Sequence, residues 1–208
     1  SGIRKIFALA AQMKDPINLS IGQPDYDVDQ VCKDEAVRQI QAGFNSYTQT
    51  WGIQELRDEA SAYYERKFGF PLKNVMITSG VSGGLFLALM ATVNPGDEVV
   101  CADPYFVMYK HLVNLLGGVS VPVDTYPDFK LTAERVEKVL TPRTKLLIVS
   151  SPANPTGVCM SGEELAALAE LAKKRNLLVL SDEIYESLMY DDQPASIAGM
   201  YDRVMCLN

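Results

Sequence analysis

Short apolar runs alternate with longer amphipathic stretches along most of this chain, and that alternation narrows the available folds more than any other property. Val75–Thr78, Glu98–Ala102, Val119–Val123, Lys145–Ser150, Leu177–Ser181 and Val204–Leu207 are strand-length, apolar and bounded by Gly, Pro, Asn or Asp. Apolar residues at helical spacing predict helices over Asp29–Ala42, Gln54–Phe68, Ser82–Val93, Tyr105–Leu116, Thr132–Leu140 and Ser161–Arg175. Ser161-Gly-Glu-Glu164 has the form of a capping box, and Thr132 stands as an N-cap before an acidic first turn. Strands alternating with helices imply βαβ units, and near-continuous apolar runs such as Leu177–Leu180 imply strands buried on both faces. The expected fold class is therefore α/β: a three-layer α/β/α arrangement around a mostly parallel sheet.

Composition excludes several kinds of function. The 208 residues are 48% apolar and 22% charged, enough for one sizeable core. A net charge of −7, with no extended run of Lys or Arg, argues against a nucleic-acid or anionic-membrane surface and points to small-molecule partners. No apolar run approaches the ~20 residues that cross a bilayer. Cys32, Cys101, Cys159 and Cys206 lie far apart and His111 is the single histidine, so zinc-site spacing is absent. We read the cysteines as reduced thiols of a cytoplasmic protein; a disulfide framework is the alternative, for which a core of this size has no need. The opening Ser1-Gly-Ile-Arg-Lys-Ile-Phe lacks the apolar stretch of a signal peptide and reads as the start of a helix cut from something longer. An extended piece at Ile17–Ile21 and a turn-rich Gly22–Asp27 mark an arm leading into the sheet domain.

In doubly covered parallel sheets, ligands bind outside the carboxyl ends of the strands. The residues to inspect are thus Gly80–Gly84, Asp103–Phe106, Ser151–Gly157 and Asp182–Tyr185. Ser79-Gly-Val-Ser-Gly-Gly84 leaves a strand run and opens a helix, which aims backbone N–H groups and the positive end of the helix dipole at one spot. That outlines a phosphate site, although its glycine spacing is neither the dinucleotide nor the P-loop pattern, and a closely packed turn is the alternative. Asp182 ends an apolar strand, where an unpaired carboxylate is costly to bury. A protonated ring nitrogen would answer it and be kept charged in return, while an N-cap or a bond to a neighbouring strand is the structural alternative. Tyr185 and Asn154 could reach the same crevice. Asn154 sits between Pro152 and Pro155, which fix the local backbone, and an Asn-Pro bond is one that tolerates the cis form. Phe106 could stack on a flat ring, or Tyr105, Phe106 and Tyr109 could simply pack their helix.

Taken in order, Gly22-Gln-Pro-Asp-Tyr26, Tyr47-Thr-x-Thr-x-Gly-Ile-x-Glu-Leu-Arg57, Ser79-Gly80, Asp103-Pro-Tyr105, Ser151-Pro-x-Asn-Pro-Thr-Gly157 and Ser181-Asp-Glu-Ile-Tyr185 resemble the class I/II aminotransferases. These are fold type I enzymes that use pyridoxal 5′-phosphate, and the resemblance covers nearly the whole chain. It implies residues 1–45 as an N-terminal arm with part of the small domain, and residues 46–208 as most of the cofactor-binding large domain. It implies that Asp182 pairs with the pyridine nitrogen, that Asn154 and Tyr185 hold the phenolic oxygen, and that Phe106 stacks on the ring. The backbone of Val81 and Ser82, after Gly80, would hold the phosphate. Tyr47 would reach the phosphate bound by the partner in a homodimer, and Gly22 would sit against the substrate carboxylate. Trp51 stands where the family usually carries a small residue, which implies a bulkier wall and a shifted substrate preference.

The activity so implied is transfer of an amino group between an L-amino acid and a 2-oxo acid. The Schiff-base lysine, the next phosphate-binding arginine and the substrate-carboxylate arginine are expected beyond Asn208. Lys110, Lys130 and Lys145 do not match the lysine's position, and the 208 residues alone are expected not to transaminate. Two alternatives use the same scaffold: a pyridoxal-phosphate lyase performing β- or γ-elimination (C–S bond cleavage included), and the ligand-sensing domain of a transcription regulator, which would need a basic winged helix upstream.

Overall fold

The structure, a computed structural model, describes residues 9, 10, 12–15, 17, 22, 24–190 and 195–208. The helix expected from Ser1, most of the extended piece Ile17–Ile21 and Gln23 of the turn-rich segment lie outside the described residues. The chain divides into two compact units, Ser1–Thr48 and Gln49–Asn208. In the first, helix α1 (Gln30–Gln41) begins at Asp29, whose side chain accepts from the Val31 N–H as an N-cap.

The second unit is built on a five-stranded sheet. Its elements run α2 (Gln54–Phe68), α3 (Gly80–Thr92), β1 (Glu98–Asp103), α4 (Met108–Leu115), β2 (Val119–Asp124), α5 (Ala133–Glu137), β3 (Thr144–Ser150), α6 (Gly162–Arg175), β4 (Leu178–Asp182) and β5 (Val204–Leu207), with 3₁₀ turns at Glu186–Leu188 and Ile197–Gly199. The strand order is β2-β1-β3-β4-β5, and every pairing is parallel. The chain leaves β1 toward one edge and returns to its other side as β3, so the strand order reverses between β1 and β3. A crevice opens there at the carboxyl ends. Pro122, which has no N–H to give, is accommodated in the edge strand β2.

Side chains alternate across the sheet, and both faces are buried. From β3, Leu146 and Ile148 join Leu85, Leu89, Tyr109 and Val113 of α3 and α4. Leu147 and Val149 join Val136 of α5 and Leu165, Leu168, Ala169 and Ala172 of α6. This is the expected three-layer α/β/α arrangement. Helix α6 carries the full capping box of Ser161 and Glu164, and Thr132 caps α5 through the Arg135 N–H.

Three expectations need correction. Val75–Thr78 is not a strand, because an apolar run becomes one only when a neighbour supplies a ladder. Here the Ile77 N–H donates to the Trp51 carbonyl and the Val75 carbonyl accepts from Arg57 Nε, which ties the segment to the start of α2 and leaves Met76 and Ile77 exposed. Helix α4 starts at Met108, three residues later than expected, because Tyr105–Val107 form a non-helical turn in which Tyr105 and Phe106 pack on the apolar cluster. Helix α5 stops at Glu137, short of Leu140; its end tightens into bonds from Val139 N–H to Val136 O and from Leu140 N–H to Glu137 O. Pro142 then holds Thr141 out of the helical region.

A buried carboxylate fastens the far end of β4. Glu183 Oε1 accepts from Ser181 Oγ at 2.7 Å and Ser196 Oγ at 2.8 Å, and Oε2 accepts from the Tyr64 phenol at 2.9 Å. The Cys206 thiol, pushed up by burial and by the Glu183 charge, stays protonated and donates at 3.7 Å. The Glu183 N–H donates to the Leu207 carbonyl at 2.8 Å. Beside it Lys67 of α2 pairs with the buried Glu186. Helix α2 is therefore bolted to the sheet through its last two turns.

Two outcomes follow for chemical denaturation. Leu146→Ala and Leu147→Ala should each cost about 2–5 kcal/mol, because each empties space on a different packed face. A one-sided sheet would leave one of them near neutral. Tyr64→Phe should cost about 1–3 kcal/mol by stripping a donor from a buried carboxylate; an unchanged midpoint would show that water replaces the phenol.

Candidate functional site

The ends of β1, β3 and β4 deliver their residues to one place. Parallel register sets Ser150, the last residue of β3, opposite Asp182, the last residue of β4. Asp182 is buried at 6% exposure, and its Oδ2 accepts the Tyr109 phenol at 2.5 Å. Its Oδ1 has no hydrogen-bond partner among the described residues. Burial pushes the Asp182 carboxyl up, and the Tyr109 hydrogen bond draws it back. The Tyr109 phenol is itself pushed up by burial and by the Asp182 charge, so it remains a donor. An unanswered oxygen of a buried carboxylate costs about 1–3 kcal/mol or more. A cation or N–H donor brought by a ligand would remove that cost.

The segment after β3 is held by its own backbone. Ala153 N–H donates to Val158 O, Gly157 N–H to Ala153 O, and Met160 N–H to Ser151 Oγ. Gly157 lies at φ +72°, a conformation that favours glycine, and both Ser151–Pro152 and Asn154–Pro155 are cis. From this turn Asn154 Nδ2 donates to the Tyr185 phenol at 3.4 Å, a long bond that nevertheless joins the two residues across the ends of β3 and β4. Tyr185 stands one residue before the Glu186–Leu188 turn, three after Asp182.

Helices α3 and α4 close the other side. Phe106 lies edge-to-face with Tyr109, centroids 5.7 Å apart at 83°. Ser79 leaves α3 without a side-chain cap, and Gly80 enters at φ +65°, so the first N–H groups, including those of Val81 and Ser82, take no bond from the cap side chain. Ser82 Oγ donates to Met108 Sδ at 3.5 Å, which places the open end of α3 against the start of α4. A cavity beside this cluster is lined by Ala102, Pro104, Tyr105, Tyr109, Phe129, Leu131, Ile148, Ser150, Ala153, Asn154, Val158 and Met160. It lies at the β1/β3 reversal, adjoining the polar cluster rather than coinciding with it.

Asp182 and Phe106 are thus joined through Tyr109, Ser82 adjoins the first residue of Tyr109's helix, and Asn154 and Tyr185 pair with each other. Trp51 is engaged elsewhere: its ring lies under the Arg57 guanidinium at 5.7 Å, and its carbonyl accepts from Ile77. Gly22 and Tyr47 belong to the first unit, both exposed. Two residues beyond those singled out from the sequence shape the site. Tyr109, taken there as packing, holds Asp182; Glu183, inside the Ser181–Tyr185 motif but given no role, fixes the turn between Asp182 and Tyr185. The three-residue step from Phe106 to Tyr109 was the available signal, since it puts both on one side of a helical turn.

Known proteins share this fold. The chain is 43% identical over 210 residues to an aspartate/prephenate aminotransferase of Cereibacter sphaeroides, covering 96% of this chain and 52% of that protein. It is 37% identical to an aspartate aminotransferase of Pyrococcus abyssi, covering 100% of this chain and 56% of the relative. The crystal structure of Thermus thermophilus aspartate aminotransferase with maleate superposes with a TM-score of 0.92 at 36% identity, over 99% of this chain and 55% of that one. The chain spans about half the length of the curated relatives it matches. The family profile described as aminotransferase class I and II matches residues 14–207, and on that match, with the shared fold, the chain belongs to the class I and II aminotransferases.

Proposed function

We propose that this chain forms the cofactor-holding part of a pyridoxal 5′-phosphate-dependent aminotransferase, which moves an amino group between an L-amino acid and a 2-oxo acid. The observation that carries it is the buried, unpartnered Oδ1 of Asp182 beside the Asn154–Tyr185 pair. A carboxylate in that position accepts from a protonated pyridine nitrogen, and the amide and phenol suit a phenolic oxygen on the same ring. The residues present therefore fit the group. Val81 and Ser82, at the uncapped start of α3, offer backbone N–H groups to a phosphate, with the helix dipole favouring the anion. Phe106 offers an aromatic face to the ring. When bound, the pyridoxal group supplies an electron sink for bonds at the amino acid's α-carbon.

The chain's own residues serve that chemistry by holding charge in place. With the group bound, Asp182 would keep a positive charge on the ring nitrogen, and Asn154 and Tyr185 would hold its phenolic oxygen. No proton transfer is assigned to a lysine here: Lys145 lies at the amino-terminal start of β3, away from the crevice, and Lys130 is engaged by Glu164. The exposed Tyr47 is assigned to the phosphate bound by the second subunit of a cytoplasmic homodimer, Gly22 to the substrate carboxylate and Trp51 to the substrate pocket wall. Among the described residues, no helix is long and apolar enough to cross a membrane.

Titration of the chain with pyridoxal 5′-phosphate, followed by absorbance, should show saturable binding. Asp182→Ala should weaken it by about tenfold or more, as expected for a charged hydrogen bond of about 1.5–3 kcal/mol, and Asn154→Ala by less. Equal affinity in all three would sink the assignment. For the reaction, the protein carrying this chain should turn over an L-amino acid beyond one equivalent per site only when a 2-oxo acid acceptor is supplied. Repeated release of 2-oxo acid together with ammonia, without any acceptor, would establish elimination instead.

A further inference from the structure

We propose that Gly84 is a positioning residue for the cofactor's phosphate: by letting α3 rest directly on β5, it fixes the start of that helix relative to Asp182. This deepens the pyridoxal phosphate assignment above and rests on it. A ligand held at both ends needs its two grips a set distance apart. One grip is Asp182, buried at 6% exposure with Oδ1 unpartnered among the described residues. The other is the backbone of Val81 and Ser82 at the uncapped start of α3. The two stand on different elements, so something between the elements must set their spacing.

That link is one close approach. A Cβ at Gly84 would lie 2.9 Å from Leu207 Cδ2 and 3.2 Å from Thr78 Oγ1, so a residue without a side chain is what fits between β5 and the segment entering α3. Carbon atoms rest at roughly 3.5–4.0 Å, so an added methyl would force a displacement of about half an ångström or more. Leu207 is itself held in the buried cluster with Leu85 and Leu180, so the helix must take part of that displacement. Leu207 is also the register partner of Asp182, and its carbonyl accepts from the Glu183 N–H at 2.8 Å. Position 84 therefore touches the residue paired with Asp182 and lies within one helical turn, about 5 Å, of the N–H groups of Val81 and Ser82. Thr78 ties the same spot from the other side, because its Oγ1 donates to the Gly80 carbonyl at 2.9 Å. A push on Thr78 is a push on the residue just before Val81.

Its neighbour Gly83 supplies the control. Gly83 is not at positive φ, and a Cβ there would stand 3.4 Å from Ser79 Cβ, an ordinary contact. The apo form of the full-length protein carrying this chain is titrated, by absorbance, with pyridoxal 5′-phosphate and separately with pyridoxal, which keeps the ring and lacks the phosphate. Wild type should bind the phosphate form more tightly. Gly84→Ala should shrink that preference by about tenfold, as for loss of about one hydrogen bond to a charged group. Affinity for pyridoxal should stay within about twofold, and Gly83→Ala should leave both affinities within that range, as for independent sites. Adding Leu207→Val, which removes the opposing Cδ2, should restore the preference to Gly84→Ala. An unchanged preference in folded Gly84→Ala, or an equal loss for both ligands, overturns the proposal. If circular dichroism shows that Gly84→Ala does not fold, the double variant Gly84→Ala with Leu207→Val decides. It should fold and show the wild-type preference; a folded double variant without that preference, or one that does not fold, overturns the proposal. Wild type that binds neither ligand, or both alike, would instead remove the cofactor assignment, and the proposal with it.

Discussion

The buried carboxylate of Glu183 is the contact on which the rest of the site depends. It gathers hydroxyls from β4, from α2 and from the loop before the Ile197–Gly199 turn, together with a thiol from β5, and among the described residues no cation pairs with it. A carboxylate answered only by neutral donors is strongly oriented by them, because each lost donor leaves charge exposed to a medium that cannot solvate it. Asp182 is the residue before Glu183 and Tyr185 the second after it, so the direction in which either side chain leaves the sheet is set by this knot. The polar groups of the crevice are thus held by a second polar cluster directly behind them.

That arrangement explains how the two sides of the site differ. The β4 side is fixed by bonds between side chains, whereas the β3 side is fixed by backbone bonds within Ala153–Val158 and by the Met160 N–H, which donates to the Ser151 hydroxyl. Asn154 needs no buried partner to be placed, only the turn that carries it. The α3 and α4 side is fixed by packing on the apolar cluster around Leu89 and Val113. Three kinds of constraint meet at Asp182, and among the described residues only there is a buried side-chain acceptor left over.

Much of this was legible in the residues. The five sheet strands follow from apolar runs, and the caps at Asp29, Thr132 and Ser161 from residue type and position, because both signals are local. Val75–Thr78 misled for the opposite reason: a ladder is a relation between two segments, and composition describes one. The placement of Asp182 beside Ser150 follows from parallel register once the strand order is known, which the sequence does not state. Tyr109 was hidden because an aromatic on a helix looks the same whether its hydroxyl is idle or bonded to a carboxylate 73 residues away. Glu183 was hidden inside a motif whose neighbours carried the clearer chemistry.

The all-parallel sheet also bears on how the molecule reaches this state. No two adjacent strands are joined by a hairpin; each pairing needs a crossover, and the pairing of β1 with β3 closes the longest connection in the sheet, across β2 and α5. The crevice lies at that most distant pairing, and its walls come from segments far apart along the chain. Such contacts pay their loop-closure entropy before they return any energy, so the search for them is slow and the half-built sheet shows open edges while it lasts. The place where a ligand is held should therefore be among the last parts of the molecule to take shape.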